Sequence, residues 1–232
     1  MSTIETRPKH VAVLPLVDGE RLDCATFHER YEAMPPETRA ELIGGIVHMA
    51  SPVSHGHVRS DKRVGYWLAH YDRYTPGLGG GPNGTVMLDE AGEPQPDQML
   101  FISEGLGGLT RLVDGYVAGA PELIVEVGKS TRKKDLGIKK ADYERAGVPE
   151  YLFVGLDPGE IRWFIPRDGR YVDLLPGPDG LIRSEIFPGL WLDPAALIAD
   201  DVEPLMAALE LGLASPEHAA FVARLAQAKA KL

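Results

Sequence analysis

The sequence predicts a mixed α/β fold, and three observations lead to this prediction. The apolar segment Leu123–Val127 is followed by a helical segment and by a second apolar segment, Tyr151–Gly155, which indicates a strand–helix–strand crossover that favours parallel pairing. Segments 160–165 and 171–175 flank an Asp-Gly turn and predict an antiparallel pair. With 232 residues, of which 44% are apolar, the chain can form one α/β domain with appendages around a substantial core.

Two helices and a strand are expected before the crossover. The segment Arg21–Met34 is amphipathic and ends at two prolines, and Val58–Tyr71 places an apolar face toward the core. The run Met99–Ile102 follows a turn rich in Gly and Pro, and it predicts a strand with Asp97 at its mouth. An Asp at this point is well placed to bind a ligand, although Pro-Asp pairs are also common in ordinary turns.

The crossover helix has clear boundary signals. Asp135 can cap a helix that runs from about 136 to 146, and Gly147 suits the terminating position. Lys139 and Tyr143 are one turn apart on the same face, whereas Lys140 lies about 100° round the helix. We therefore expect only one of the two lysines to face the core.

Glu126 interrupts the apolar run of the first crossover strand. A buried carboxylate is costly unless a cation, a metal or hydrogen-bond donors compensate it, so Glu126 is a candidate for chemistry. The alternative is that it ends the strand and points to solvent. Its combination with Asp97 and Lys139 favours the functional interpretation of all three residues.

Several short motifs follow one another along the chain in a characteristic order. The most specific part of this pattern lies between Glu122 and Tyr151. The motifs are Pro96-Asp97, Glu126-Val127, Ser130-Thr131-Arg132, Asp135-Leu-Gly-Ile-Lys139, Tyr143, Ala146-Gly147-Val148 and Tyr151, with Glu41-Leu-Ile-Gly-Gly45, Ser51-Pro52 and His55-Gly56 upstream. This arrangement resembles the Uma-type family of bacterial restriction-endonuclease-like proteins, which belongs to the PD-(D/E)xK nuclease superfamily. The resemblance covers roughly residues 20–195 and implies a restriction-endonuclease-like fold, with a central mixed sheet flanked by helices.

The resemblance also implies an active site. Asp97 and Glu126 would be the metal ligands, and Glu41 would join them from the end of the first helix; the alternative for Glu41 is an ordinary helix-surface residue. The superfamily pattern places a lysine two residues after the strand acid, but that position here is Gly128. Lys139 from the following helix is therefore expected to be the catalytic lysine.

Two other lysines compete with that assignment, and a wider set of residues is expected to contact substrate. Lys140 is the close competitor, and Lys129 is one residue beyond the superfamily position, where a strand side chain points to the opposite face. His55 matches the family, and a structural role, capping or bracing the active-site loop, is its alternative. The expected substrate contacts are Lys129, Arg132, Lys140, Tyr143 and His55.

The implied activity is metal-dependent hydrolysis of DNA phosphodiester bonds by an endonuclease. Mg²⁺ suits two protein carboxylates because it completes its coordination with water and phosphate oxygens, and we expect Mn²⁺ to substitute for it. A nearby lysine can orient the attacking water, stabilise charge or act as a base. The alternative function is a catalytically degenerate nuclease fold that binds nucleic acid or a protein partner.

Charge limits the substrate expectations. The chain has 24 basic and 34 acidic residues and a net charge of −10, whereas proteins that bind nucleic acid usually present a basic face. The segment from Lys129 to Lys140 nevertheless contains six basic residues beside the expected metal site. We therefore expect local substrate contact rather than extended duplex binding.

Other kinds of site are weakly supported. The segment Gly128-Lys129-Ser130-Thr131 resembles the end of a phosphate-binding P-loop, but the glycine required five residues earlier is Leu123. The seven histidines do not show the paired spacing of a zinc site. Cys24 is the single cysteine, which excludes an intrachain disulfide and fits a reducing cytoplasm.

We expect three regions along the chain, namely an N-terminal extension over 1–19, the nuclease-like domain over 20–195 and a helical tail over 196–232. No run approaches the roughly 18 apolar residues of a membrane helix, so no membrane association is expected. Ser215-Pro216-Glu217 is a strong helix start, and the helix that follows carries an apolar stripe. That stripe is expected either to form a homodimer contact or to dock on the nuclease core.

Overall fold

The computed structural model describes residues 13–50, 52, 54–129 and 131–232. Most of the expected N-terminal extension, together with Ser51 and Ser130 of the sequence motifs, lies outside these residues.

Within the described residues, six strands form the central sheet, and three smaller sheets accompany it. The order in the central sheet is β11-β10-β9-β8-β5-β3, and the smaller sheets are β1-β2, β4-β7-β6 and β12-β13. The strands are β1 (Ala40–Ile43), β2 (Ile46–Met49), β3 (Leu78–Pro82), β4 (Val86–Met87), β5 (Gln98–Ile102), β6 (Arg111–Val113), β7 (Tyr116–Ala118), β8 (Leu123–Gly128), β9 (Glu150–Leu156), β10 (Gly159–Arg167), β11 (Arg170–Asp173), β12 (Ile182–Arg183) and β13 (Trp191–Leu192).

Helices lie on both faces of the central sheet. They are α1 (Cys24–Glu32), α2 (His55–Tyr74), α3 (Arg132–Lys134), α4 (Lys140–Ala146), α5 (Pro194–Ala199), α6 (Val202–Leu213) and α7 (Pro216–Lys229), with a short 3₁₀ turn at Glu104–Leu106. A π-helical turn, Asp135–Lys139, joins α3 to α4 without a break. No helix in the described part of the chain has the length and apolar character needed to cross a membrane.

The predicted crossover is confirmed. β8 and β9 are parallel neighbours, and α3, the π turn and α4 connect them. The remaining pairs of the central sheet are antiparallel, including the β10–β11 hairpin at its Asp168-Gly169 turn, where both residues have positive φ. The sheet is therefore mixed, as the sequence predicts.

The two faces of β8 pack against different layers. Val125 and Val127 lie in the core cluster that contains Trp67 of α2, whereas Ile124 lies in the cluster that contains Tyr143 of α4. Because side chains alternate along a strand, Glu126 shares the α4 face with Ile124. This alternation brings the strand acid to the layer that carries the lysines.

Two local predictions are wrong. Glu41 lies in strand β1 rather than at a helix end, because α1 ends at Glu32 and a tight β1–β2 hairpin follows. Its turn consists of Gly44 and Gly45, which have φ of 59° and 72° and so adopt the left-handed region that glycine tolerates. Asp135 does not cap the crossover helix either, because helical backbone already begins at Arg132.

The C-terminal helices pack on the core. Leu205 and Leu209 of α6 are buried with Phe221 and Leu225 of α7 in the cluster that covers the α2 face of the sheet. The Ser215 hydroxyl accepts a hydrogen bond from the His218 backbone N–H and so caps α7, as the sequence predicts. Of the two roles expected for the apolar stripe, this structure contains the docked one.

Candidate active site

The predicted site residues converge where β5 begins and β8 ends. Asp97 immediately precedes β5, Glu126 lies near the end of β8, and Lys139 reaches both Glu126 and Glu41 from the π turn. These side chains come from two strands, the π turn and the loop before β5. Folding therefore assembles the constellation that the motif pattern indicates.

Lys139 lies at the centre of this group. Its Nζ donates to Glu41 Oε1 at 2.7 Å and to Glu126 Oε1 at 2.8 Å, and its side chain is only 5% exposed. Burial lowers the pKa of this ammonium, but the carboxylates of Glu126, Glu41 and Asp135 outweigh it and raise the pKa above its ordinary value. Lys139 is therefore a fixed positive charge at neutral pH.

Glu126 is buried, and one of its carboxylate oxygens accepts two hydrogen bonds. Oε1 accepts hydrogen bonds from Lys139 Nζ and, at 2.6 Å, from the Tyr143 hydroxyl. Burial raises the pKa of Glu126, and the Lys139 ammonium opposes that rise by favouring the carboxylate. Lys139 and Tyr143, one helical turn apart in the sequence, thus donate to the same acceptor, Glu126 Oε1.

Glu41 holds the lysine from the other side. Its Oε1 also accepts from the backbone N–H of Gln95 at 3.0 Å, and Lys134 Nζ lies 3.4 Å from Oε2. Burial raises the pKa of Glu41, but the ammonium groups of Lys139 and Lys134 outweigh it and hold the pKa below its ordinary value. Glu41 is thus a stable carboxylate, although it reaches the site from a strand.

Asp97 has a partner that the sequence did not reveal. Oδ1 lies 3.0 Å from His57 Nε2, and Oδ2 accepts from the Val127 backbone N–H at 2.7 Å. The hydrogen bond to Asp97 raises the pKa of His57, which projects from the first turn of α2. The only sequence signal that could have pointed to His57 is its position two residues after His55.

The π turn explains how the lysine reaches the strand from a helix. A π-helical turn is wider than an α-helical one and is frequent at functional sites. Here it carries Lys139 toward Glu126, while the Tyr151 hydroxyl donates to the Asp135 backbone carbonyl at 3.1 Å. The π turn is thus the backbone feature that lets a lysine on the helical segment, rather than on the strand, contact Glu126.

Gly128 occupies the superfamily lysine position because no side chain fits there. A Cβ at this residue would lie 2.6 Å from Asp135 Oδ2 and 2.8 Å from both Phe153 Cε2 and Thr131 Oγ1. The space next to Glu126 along the strand is taken by the Asp135 carboxylate, which is 2% exposed. Within the described residues, Asp135 Oδ2 has no hydrogen-bond partner.

The residues expected to contact substrate are only partly gathered at the site. Lys129 is exposed and lies 3.9 Å from Asp157, and Arg132 forms an ion pair with Glu160. Their charge is therefore partly compensated by neighbouring acids. Tyr143 is buried and acts on Glu126 rather than at the surface.

The remaining two candidates point elsewhere. Lys140 Nζ lies 4.0 Å from the centre of the Phe164 ring, away from the carboxylates, which confirms that one lysine of the pair faces the site. His55 is exposed at the start of α2, and Ser54 provides the cap by accepting from the His57 backbone N–H at 3.3 Å. The expected capping role of His55 is therefore wrong.

A divalent metal fits the donor chemistry of this site, although the ligands are not preassembled. Among the described residues, no three His, Cys, Asp or Glu side chains are grouped so that they could enclose a metal ion. Mg²⁺ needs only one or two protein carboxylates, however, and the orphaned Oδ2 of buried Asp135 lies beside the strand acid. Asp97 and Glu126 would hold such an ion.

Comparison with known proteins decides the family. The Uma2 family model, described as "Putative restriction endonuclease", matches residues 25–195. The chain belongs to the Uma2 family. This result confirms the resemblance inferred from the motifs, and the matched range contains every residue of the candidate site described above.

A solved structure supports the Uma2 fold independently. The crystal structure of "a putative nuclease belonging to DUF820" from Anabaena variabilis has a TM-score of 0.58 and 15% sequence identity, and the match covers 74% of this chain and 96% of that one. At this identity the likeness shows the fold alone, which is a central mixed sheet flanked by helices. A search of curated proteins gave no match.

Proposed function

We propose that this Uma2 protein is a Mg²⁺-dependent endonuclease that hydrolyses phosphodiester bonds in DNA, with Mn²⁺ able to replace Mg²⁺. The observation that carries the proposal is the buried ammonium of Lys139, bound by Glu126 and Glu41. An ammonium and several carboxylates held together at a strand end are the parts that phosphodiester hydrolysis requires. A bound divalent ion would supply charge neutralisation and an activated water.

The side chains of the site have separate roles in the proposed reaction. Lys139 has a raised pKa and stays protonated, so it serves to orient water and to stabilise negative charge rather than to act as a base. Tyr143 and Lys139 together fix the orientation of Glu126. His57 and the Val127 backbone N–H fix Asp97 in the same way. These contacts hold both proposed metal ligands before substrate arrives.

DNA is proposed as the substrate because family membership points to a nuclease and basic side chains lie next to the site. Lys129 and Lys133 are exposed on the segment that directly follows β8, the strand that carries Glu126, and a phosphate backbone would approach there. The acidic net charge of −10 disfavours extended binding. The contact with DNA is therefore short and dependent on salt concentration.

One observation favours a second candidate function. Lys139 already neutralises Glu126 and Glu41, and no three-ligand metal group is preformed within the described residues. The same network would be stable in a degenerate nuclease fold that binds nucleic acid or a protein partner without cleaving it. Metal-dependent nicking separates the two candidates.

The test is conversion of supercoiled plasmid to nicked circle with Mg²⁺, with Mn²⁺ and with chelator. Wild type is expected to nick only with metal, and Asp97→Ala and Glu126→Gln are expected to lose at least about a hundredfold in rate. Asp179→Asn, on the loop before β12, is the matched control and should retain wild-type activity. Nicking that survives both site substitutions contradicts the proposal, and DNA binding without nicking by wild type supports the second candidate.

A further inference from the structure

Asp135 is an unexplained buried charge in this protein. It is 2% exposed, its Oδ2 has no hydrogen-bond partner within the described residues, and the function proposed above gives its carboxylate no role of its own. Leaving a buried carboxylate oxygen unpaired is costly, and native proteins rarely do so without a functional reason or a bound ion.

The unpaired oxygen faces the proposed site. Gly128 lies two residues after Glu126 and therefore on the same face of β8, and Oδ2 of Asp135 would be 2.6 Å from a Cβ at that position. Asp97 reaches the same end of the strand, because its Oδ2 accepts a hydrogen bond from the backbone N–H of Val127 at 2.7 Å. Asp97, Glu126 and Asp135 thus all lie near the end of β8.

The nearby Lys139 ammonium attracts Asp135 but makes no hydrogen bond to it among the described residues. The Lys139 ammonium donates to Glu126 and Glu41, at 2.8 and 2.7 Å, so its hydrogen bonds go to other acids. A divalent cation would compensate the remaining charge, since hard cations prefer carboxylate oxygens. The backbone of Asp135 is held in place by the Tyr151 hydroxyl, so the carboxylate is positioned before an ion binds.

We propose that Asp135 is the third carboxylate of the divalent-cation site, with Oδ2 as its ligand atom beside Glu126 and Asp97. This inference rests on the proposed function, because it adds a ligand to the same site. The proposal also explains why position 128 is glycine, since any side chain there would displace the Asp135 oxygen.

The test measures Mn²⁺ binding by calorimetry and thermal unfolding of metal-free protein. Asp135→Asn keeps the shape but removes the charge, so we expect Mn²⁺ affinity to fall by about tenfold or more. The melting temperature of metal-free protein should stay the same or rise, because an unpaired buried charge is lost. A ligand role predicts both results together.

Asp142→Asn is the matched control. Asp142 is also buried in the crossover helix, but its oxygens are paired with the Gly44 backbone N–H and with Arg145. Its substitution should lower the melting temperature of the metal-free protein and leave Mn²⁺ affinity unchanged. If Asp135→Asn fails to fold, Asp135→Ser gives the same measurement with a smaller side chain.

The outcomes separate the inference from the function on which it rests. Wild-type Mn²⁺ affinity in Asp135→Asn, together with loss of binding in Glu126→Gln, overturns the role of Asp135 and keeps the nuclease proposal. No Mn²⁺ uptake by wild type overturns both. Reduced affinity in Asp135→Asn with an unchanged or raised melting temperature supports the third ligand.

Discussion

Replacing Lys139 with Met should strongly destabilise the protein. The ammonium makes two hydrogen bonds to carboxylates whose side chains are 5% and 16% exposed. Hydrogen bonds to charged groups contribute about 1.5–3 kcal/mol each, and removing one partner of a buried ion pair costs about 3–5 kcal/mol. We therefore expect Lys139→Met to lower the free energy of unfolding by about 3–5 kcal/mol at alkaline pH.

The cost should depend on pH in a defined direction. Burial already raises the pKa of Glu126, and loss of Lys139 removes the main opposing charge, so the pKa rises further. A carboxyl with a raised pKa in the folded state takes up a proton on folding, so its folded form loses stability as pH increases through that pKa. The loss in free energy of unfolding caused by Lys139→Met is therefore largest at pH 9 and smaller at pH 5.5.

Urea unfolding followed by tryptophan fluorescence measures this deficit at the two pH values. Lys140→Met is the matched control, because Lys140 lies over the Phe164 ring and its contact is worth about 1 kcal/mol or less. Adding Glu126→Gln to Lys139→Met should recover part of the lost stability, since the uncompensated charge is then absent. Equal losses in Lys139→Met and Lys140→Met at pH 9 would refute the reasoning.

Three further predictions follow from single residues. Gly128→Ala should lower the free energy of unfolding by about 1–3 kcal/mol, because its Cβ would press on Asp135 Oδ2; denaturant titration measures this, and an unchanged midpoint would contradict the packing described. Burial raises the pKa of Glu150 to about 7, so its contribution to stability is complete below its ordinary pKa and is lost as pH rises through about 7. Melting temperatures from pH 4.5 to 8 should therefore fall less steeply in Glu150→Gln than in wild type, and parallel curves would exclude this assignment. His57→Ala should reduce metal-dependent nicking by about 10–100-fold with little change in melting temperature, because Asp97 loses a partner; full activity would show that the contact is dispensable.

The sequence predicted those parts of the fold and site that depend on local periodicity. The apolar runs of β8 and β9 and the helical segment between them determine the parallel crossover. The one-turn spacing of Lys139 and Tyr143 correctly predicted that these two side chains share a face and that Lys140 lies on another one. These features need only the periods of strands and helices.

The parts that were missed depend on contacts between distant segments. His57 is 40 residues from Asp97 in the chain, so no spacing rule connects the two residues. Asp135 follows a polar segment and precedes an apolar residue, which is the pattern of a helix cap, but the helix begins one turn earlier and buries it. Glu41 was assigned to a helix end from the family resemblance, whereas the hairpin that turns at Gly44 and Gly45 places it in β1.

The most direct test of the site is the nicking activity of two neighbouring lysine variants. Lys139 contacts Glu126 and Glu41, whereas Lys140 lies on another face of the helix against Phe164. With Mg²⁺ and purified protein, Lys139→Ala should lose at least about a hundredfold in rate, while Lys140→Ala should retain activity within about threefold of wild type. Undiminished nicking by Lys139→Ala, or an equal loss in both variants, would contradict the assignment of the active site.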